Sequence, residues 1–306
     1  MKTIVLPTDY SDNARQAAEY AVCLAQRMNS SLVLFHAIEL PLISSSVLPA
    51  LSVLEPIIDS HRKHLEELKQ VITQKYPVPV SYMIRVGTLA KVLQEFLEQQ
   101  NADLVVMGLR GSNPVTHFWI GSSTASVLKE SNIPVLILPQ LYHYHPISRI
   151  LFACDLKPIS NAQVLFPLKD IASESKAVVR VLHLSEVTAY EKEPAEYTYP
   201  ADYTQTSVFN PVQLAESGSS EKVVSARQYW QEQLKELRPE FTNLYEENIP
   251  EAIEREIFTY GADLLVMLPH HHTFFQRLLE KSNTEQMLFR IHIPLLALAD
   301  YTGKKE

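Results

Sequence analysis

Gly108, Gly111 and Gly121, with Ser122 and Ser123 directly behind the last of them, give the chain its spacing most suited to chemistry, G-x2-G-x9-G-[ST]. They are three of only seven glycines in 306 residues, whereas average usage would place roughly twenty in a chain of this size. A hydrophobic run, DLVVM at residues 103–107, leads in, and a helix-like stretch, SSTASVLKES, leads out. A strand, a glycine loop and a helix start suit a phosphate. Glycine permits positive φ and close backbone approach, and the unpaired N–H groups of a helix N-terminus attract anions. Serine hydroxyls and the Arg110 guanidinium are further donors to phosphate oxygens. The spacing is neither the dinucleotide G-x-G-x-x-G nor a P-loop, because no Gly-Lys-[Ser/Thr] occurs.

The elements that must position this loop follow from hydrophobic periodicity. Residues 2–6 (KTIVL) read as a strand ending at Pro7-Thr8-Asp9. Ser11 or Asp12 then caps a helix whose Ala14, Ala17, Ala18, Ala21, Val22, Leu24 and Ala25 recur at helical spacing. Residues 31–37 (SLVLFHA) read as a buried strand, and the Pro- and Ser-rich piece 40–56 as a loop with at most one helical turn. A charged helix is expected over 57–75, a strand over 78–86 closed by Gly87, a helix over 89–99, and, after the glycine loop and its helix, a strand over 134–138. Alternation of helices with continuously apolar strands predicts an α/β fold with a parallel sheet covered on both faces. Ligands then sit beyond the carboxyl ends of the strands, where the Gly108 loop and Asp9 share one crevice.

The pattern then repeats. After a linker at 139–148 (PQLYHYHPIS is its sequence from Pro139), ILFACDL at Ile150 matches IVLPTDY at Ile4. VRVLHLSE at Val179 matches LVLFHAIE with His183 under His36, ADLLVM at Ala262 matches ADLVVM at Ala102, and IPLLAL at Ile293 matches IPVLIL at Ile133. Tandem domains, 1–140 and 147–300, follow from this duplication. The second contains a long insertion near 186–220, rich in tyrosine, proline and glutamate, expected to be a surface loop. Aligned on the repeat, Gly108 becomes Leu268, Gly111 becomes His271 and Gly121 becomes Lys281, while Ser122 remains serine at Ser282. Side chains at those positions should block a phosphate, so one nucleotide site per chain is expected. Pro167 should kink the first helix of this second copy.

The chain at this point resembles the universal stress protein family in its nucleotide-binding branch. The likeness spans nearly all of both repeats and is carried by PTDYS, HAIE, MGLRG, IGSST and IPVLILP. The resemblance implies two Rossmann-like, adenine-nucleotide hydrolase-like domains, each a five-stranded parallel sheet in the order 3-2-1-4-5. It implies ATP, with or without Mg²⁺, as the ligand. Asp9 and the backbone around Ala37 would hold the adenosine, and Gly108, Arg110, Gly111, Gly121, Ser122 and Ser123 the ribose and phosphates. Pro7, Thr8 and Met107 at the strand ends complete the expected set. Other polar residues usually stand where this chain has Arg110. The family also pairs its last strands, so residues 135–138 are expected antiparallel to 295–298 within one chain, an intramolecular pseudo-dimer, with a further homodimer left open.

Plainer readings stand beside these. Gly108 and Gly111 could simply make a turn, Asp9 could merely cap the first helix, and Phe118 and Trp119 could be loop anchors. The run His270, His271, His272 has no metal-type spacing, and a polar loop or interface is the simpler account. Cys23 and Cys154 read as inert thiols of a cytoplasmic protein. The net charge is −8: residues 1–145 hold 11 Lys and Arg against 12 Asp and Glu, and residues 146–306 hold 16 against 23. An acidic second half argues against general nucleic-acid binding, and no apolar run approaches the ~20 residues of a membrane span. No Ser-His-Asp order, HExxH, nucleophile elbow or kinase signature is present, so binding is expected rather than turnover, with slow ATP hydrolysis or autophosphorylation as the alternative. Two functions remain: a nucleotide-binding stress-response or signalling module acting on an unknown protein partner, and an interaction protein that binds no nucleotide.

Overall fold

A computed structural model describes residues 1–39, 51–109, 121–140, 142–154, 156–159, 161–185, 220–245, 249–268 and 292–299. The first half runs β1 (Thr3–Pro7), α1 (Asp12–Arg27), β2 (Ser31–Ile38), α2 (Leu51–Lys75), β3 (Val80–Val86), α3 (Leu89–Gln100), β4 (Leu104–Gly108), α4 (Ser122–Glu130) and β5 (Val135–Leu138). The second half has β6 (Arg149–Cys154), a 3-10 turn (Ala162–Leu165), α5 (Phe166–Ser175), β7 (Val178–Ser185) and α6 (Ser220–Gln233). A further 3-10 turn (Lys235–Leu237), β8 (Glu240–Tyr245), α7 (Ile249–Tyr260), β9 (Leu264–Met267) and β10 (Leu295–Ala297) follow.

All ten strands form one sheet in the order β3-β2-β1-β4-β5-β10-β9-β6-β7-β8. Each half is therefore 3-2-1-4-5, as the resemblance implied. Every pairing is parallel except the central one, where Leu295, Leu296 and Ala297 lie opposite Ile137, Leu136 and Val135 in antiparallel register. That seam covers two strands that would otherwise be apolar edges. Because it is antiparallel, the carboxyl ends of the two halves' strands point to opposite rims of the sheet.

The layers follow from alternation along the strands. Ile4, Leu6, Leu32, Leu34, Phe152 and Val179 face α1, α2, α5 and α6, meeting Ala21, Leu65, Leu168 and Trp230. Val5, Phe35, Val105, Leu151 and Leu265 face α3, α4 and α7, meeting Leu93, Val127 and Ile253. Alanines on the buried face of α1 let that helix lie close on the sheet. Gly87 ends β3 at φ 145°, and a Cβ there would sit 2.6 Å from the Val92 side chain.

The repeat extends to backbone strain and to carboxylate ties. Tyr10 and Leu156, 146 residues apart in the alignment, both take positive φ, 64° and 55°, just after their strands. Asp103 Oδ2 accepts from the N–H groups of Lys2 and Thr3 at 2.6 and 2.9 Å, and Asp263 Oδ2 accepts from Ser148 and Arg149 at 2.7 and 2.9 Å. The repeated Ala-Asp-Leu thus fastens the fourth strand of each half to the start of its first.

Two expectations are corrected. The helix expected from residue 57 begins at Leu51 and carries Pro56 within it, because a proline in the second turn deletes one ladder bond without ending the helix. Pro167 does not kink a helix. The chain makes a 3-10 turn over Ala162–Leu165, and α5 starts at Phe166 with Pro167 in its first turn, where a missing N–H leaves no bond unmade. The linker is also more ordered than its composition suggests: Tyr144 packs edge-on against Tyr20 of α1 at 5.1 Å. The N-terminal ammonium pairs with Asp170 of α5, and Arg27 Nη2 donates to the Glu174 carbonyl at 3.3 Å.

Candidate nucleotide site

The first half's strand order reverses between β1 and β4, and most of the expected residues gather there. Pro7 of β1 lies beside Phe35 of β2, and Gly108 ends β4 opposite Leu138 of β5. Thr8 and Asp9, Ala37, and Met107 with Gly108 consequently occupy the carboxyl ends of three adjacent strands, β1, β2 and β4. Thr8 and Met107 are buried, Ala37 and Gly108 half-buried, and Asp9 exposed.

The turn after β1 is over-determined. The Thr8 N–H donates to the Phe35 carbonyl at 2.9 Å, and His36 Nδ1 lies 2.7 Å from the Thr8 carbonyl. A carbonyl only accepts, so that nitrogen carries the proton. Thr8 Oγ1 accepts from the Tyr10 N–H at 3.1 Å, and Asp9 Oδ1 from the Ser11 N–H at 3.0 Å. Ser11, not Asp9, caps α1, its hydroxyl accepting from the Ala14 N–H at 3.2 Å. The plainer reading of Asp9 as helix cap therefore fails, and its carboxylate stands at the exposed rim.

The two ends of the glycine loop are pinned together. The Leu109 N–H donates to Leu138 and the Gly121 N–H to Leu109, each at 2.8 Å. The buried Thr124 hydroxyl donates to the Gly108 carbonyl at 3.1 Å. Arg110 and Gly111, together with Phe118 and Trp119, lie outside the described residues. Gly121 is the N-cap of α4 with φ −60° and ψ 148°, and the positive-φ glycines among the described residues are Gly87 and Gly261. Neither Gly121 nor Gly108 is a glycine required by a left-handed backbone.

The helix starts on this rim differ. Ser11 caps α1, and Glu39 Oε1 accepts from the Leu89 N–H of α3 at 3.2 Å. Among the described residues no side chain caps α4, and Ser122 and Ser123 are exposed in its first turn. An anion placed there meets amide N–H groups, two hydroxyls and the positive end of the helix dipole.

Four rings that sequence reading did not bring together adjoin the β1 turn: Tyr10, His36 of β2, and His61 and His64 of α2. His36 and His61 stack with centroids 4.3 Å apart, and Tyr10 lies 4.7 Å from His36, 5.7 Å from His61 and 5.5 Å from His64. Burial raises the Tyr10 hydroxyl pKa to about 12. Burial, more than any other cause, holds His36 and His61 below the usual histidine range; His64 lowers both further, and Asp9 and the Thr8 carbonyl oppose the shift at His36. The one trace of this cluster along the chain is the repeated His36 and His183, which mark the duplication and say nothing of His61 and His64.

The second half differs at the matched place. Leu268, where the first half has Gly108, is 6% exposed and sits in the hydrophobic core. Cys154 and Leu156, at the positions of Thr8 and Tyr10, are buried. The turn beyond them is held by the Tyr229 hydroxyl, which lies 3.3 Å from the Ile159 N–H and 3.2 Å from its carbonyl. Asp155, His270, His271, His272, Lys281, Ser282 and residues 186–219 of the insertion lie outside the described residues. Among the described residues no group of His, Cys, Asp and Glu is arranged to hold a metal ion, and no helix is long and apolar enough to cross a membrane.

Comparison with known proteins agrees with this architecture. A universal stress protein of Methanocaldococcus jannaschii is 30% identical over 141 residues, covering 45% of this chain and 81% of that one. One from Synechocystis is 24% identical over 318 aligned residues, covering 97% and 99%. The crystal structure of a universal stress protein from Archaeoglobus fulgidus superposes with a TM-score of 0.65 at 16% identity over 97% of this chain and 98% of that one, a likeness of fold. The sequence profile of the family matches residues 1–139 and again 146–298, and the chain therefore belongs to the universal stress protein family, as a tandem member.

Proposed function

We propose that the chain binds one adenine nucleotide, ATP, in its first half, and that occupancy of this site is the signal of a stress-response module whose second half is scaffold. The observation that carries the reading is the contrast between matched strand ends. In the first half, Gly108 and a start of α4 that no described side chain caps leave backbone donors at the rim beside Asp9; in the second, Leu268 turns a side chain into the core at the same place. Exposed Ser122 and Ser123 suit phosphate oxygens, and the Asp9 carboxylate and Ala37 main chain suit the nucleoside. Family membership supports the assignment.

Binding is favoured over turnover. His36, the buried histidine beside the site, is engaged at Nδ1 by the Thr8 carbonyl, and the described residues place no nucleophile with a partnering base at the rim. Slow hydrolysis would appear as phosphate release proportional to protein and abolished by Gly108→Leu.

Calorimetric titration of the whole chain with ATP, with and without Mg²⁺, tests the proposal. One site per chain is expected, lost in Gly108→Leu. Two sites would overturn the assignment to the first half, and no heat with any adenine nucleotide would favour the reading as an interaction protein.

A further inference from the structure

We propose that Tyr10, His36, His61 and His64 form a proton-sensitive latch between α2 and the β1 turn, which holds the site in its binding form at neutral pH and weakens nucleotide binding on acidification. The regulatory part rests on the nucleotide reading above; the latch itself does not.

The latch joins segments far apart in sequence. Thr8 and Asp9, two expected ligands, sit within a turn whose next residue, Tyr10, is at φ 64°, a conformation that costs a non-glycine residue energy and persists when its surroundings hold it. What surrounds Tyr10 is the ring stack. His36 reaches from β2 to the Thr8 carbonyl, His61 stacks on His36 with planes 29° apart and on Tyr10 with planes 11° apart, and His64, one turn further along α2, flanks Tyr10.

This arrangement suits neutral imidazoles. His61 Nδ1 is buried with no hydrogen-bond partner among the described residues. In the neutral ring that nitrogen can remain an unprotonated acceptor. In the imidazolium it must carry an N–H with nothing to receive it, which is the costlier state. A charged His61 would also face His64 on its own helix and, across the stack, a charged His36 at 4.3 Å.

Among the described residues, the charged and titratable groups facing the stack are Asp9 and Tyr10 from the β1 turn and His64 from α2. β3 packs Ile84 and Tyr82 on this side of the sheet, with Lys69 of α2 over the Tyr82 ring at 5.8 Å, and the first turn of α1 carries the exposed Asp12–Arg15 pair. Asp12 is paired with Arg15, and Asp9, at the solvent rim, is the acid that acts on His36. One exposed carboxylate cannot neutralise both a charged His36 and a charged His61 stacked at 4.3 Å, so acidification must part α2 from the turn or swing Tyr10 out of the stack. The second half keeps His183 at the place of His36 but has Leu156 at the position of Tyr10 and ties its turn through the Tyr229 hydroxyl.

The test uses the full chain and the double variant His61→Phe/His64→Phe, which keeps rings in place but cannot take up protons there. ATP affinity is measured by calorimetry between about pH 7.5 and 5.5, and histidine and amide spectra are followed by NMR over the same range. If each binding event expels one latch proton, wild-type affinity falls about ten-fold per pH unit once the histidines titrate, by linkage. The terminal phosphate of ATP also titrates near pH 6, so the quantity read is the difference between wild type and variant. The variant should lose at least about ten-fold less affinity over the range. Equal losses in both proteins would overturn the regulation. If the wild type binds no nucleotide at neutral pH, the functional reading fails, and the latch is judged by NMR alone. His36 and His61 titrating below 6.5 together with loss of amide protection around His61 and His64 of α2 supports it; titration that leaves those amides unchanged overturns it.

Discussion

Replacing Gly121 by aspartate should move stability and binding in opposite directions. Gly121 is the N-cap of α4 with φ −60° and ψ 148°, a conformation aspartate adopts without strain. The new carboxylate accepts from the N–H of the second or third helical residue, Ser123 or Thr124. Asp exceeds Gly as a cap by a few tenths of a kcal/mol, and a negative charge at a helix N-terminus adds about 0.3–1 kcal/mol. The folded chain should therefore gain about 0.5–1 kcal/mol, raising Tm by a few degrees at most. The same carboxylate occupies the amides assigned to phosphate. Two charge-assisted hydrogen bonds at about 1.5–3 kcal/mol each amount to a loss of about 3–6 kcal/mol, more than 100-fold in Kd. Thermal unfolding and ATP calorimetry on the same preparations read both numbers. A variant that binds ATP as tightly as the wild type refutes the placement of the phosphates. A variant that loses binding together with several degrees of Tm refutes the reasoning, because misfolding would then explain the loss.

Three further outcomes are expected. Leu296→Ala, at the fully buried β5–β10 seam, should cost about 2–5 kcal/mol in urea unfolding. Asp103→Ala removes the acceptor of two backbone N–H groups, one at an exposed and one at a part-buried contact, and should cost about 1–3 kcal/mol; Asp263→Ala, whose two contacts are both exposed, should cost less. Stability should also decline in acid: His36 and His61 have folded pKa values below 6.5, so above that pH both folded and unfolded chains carry them neutral. As pH falls below about 6.5 the unfolded chain takes up protons first, and stability is lost until the folded values are passed. Urea midpoints that stay level from pH 7.5 to 5.5 in the wild type would contradict the shifts.

Much of the fold was legible because it is written in local patterns. Continuous apolar runs at Ile4, Leu32, Leu104 and Val135, matched by Ile150, Val179, Leu264 and Leu295, give strands buried on both faces, and these need parallel neighbours and helical cover. The placement of Thr8, Asp9, Ala37, Met107 and Gly108 at neighbouring strand ends was legible for the same reason, since it follows from strand order alone. The start of α2 was not, because proline and serine signal a loop locally while helix continuation depends on the whole element. Pro167 misled likewise, since its effect turns on whether it lies inside a helix or in its first turn.

The sequence by itself determined that the chain is a duplicated α/β protein with glycines kept at one strand end and replaced at its copy, because periodicity and residue type act over a few neighbouring positions. Folding in three dimensions was needed to show that Asp103 ties β4 to β1, that Glu39 and Ser11 cap two rim helices while no described side chain caps α4, and that Leu268 is buried. It also gathered Tyr10, His36, His61 and His64 into one stack. Those facts depend on contacts between residues tens of positions apart, whose geometry is set by the packing of helices on a shared sheet and leaves no periodic trace along the chain.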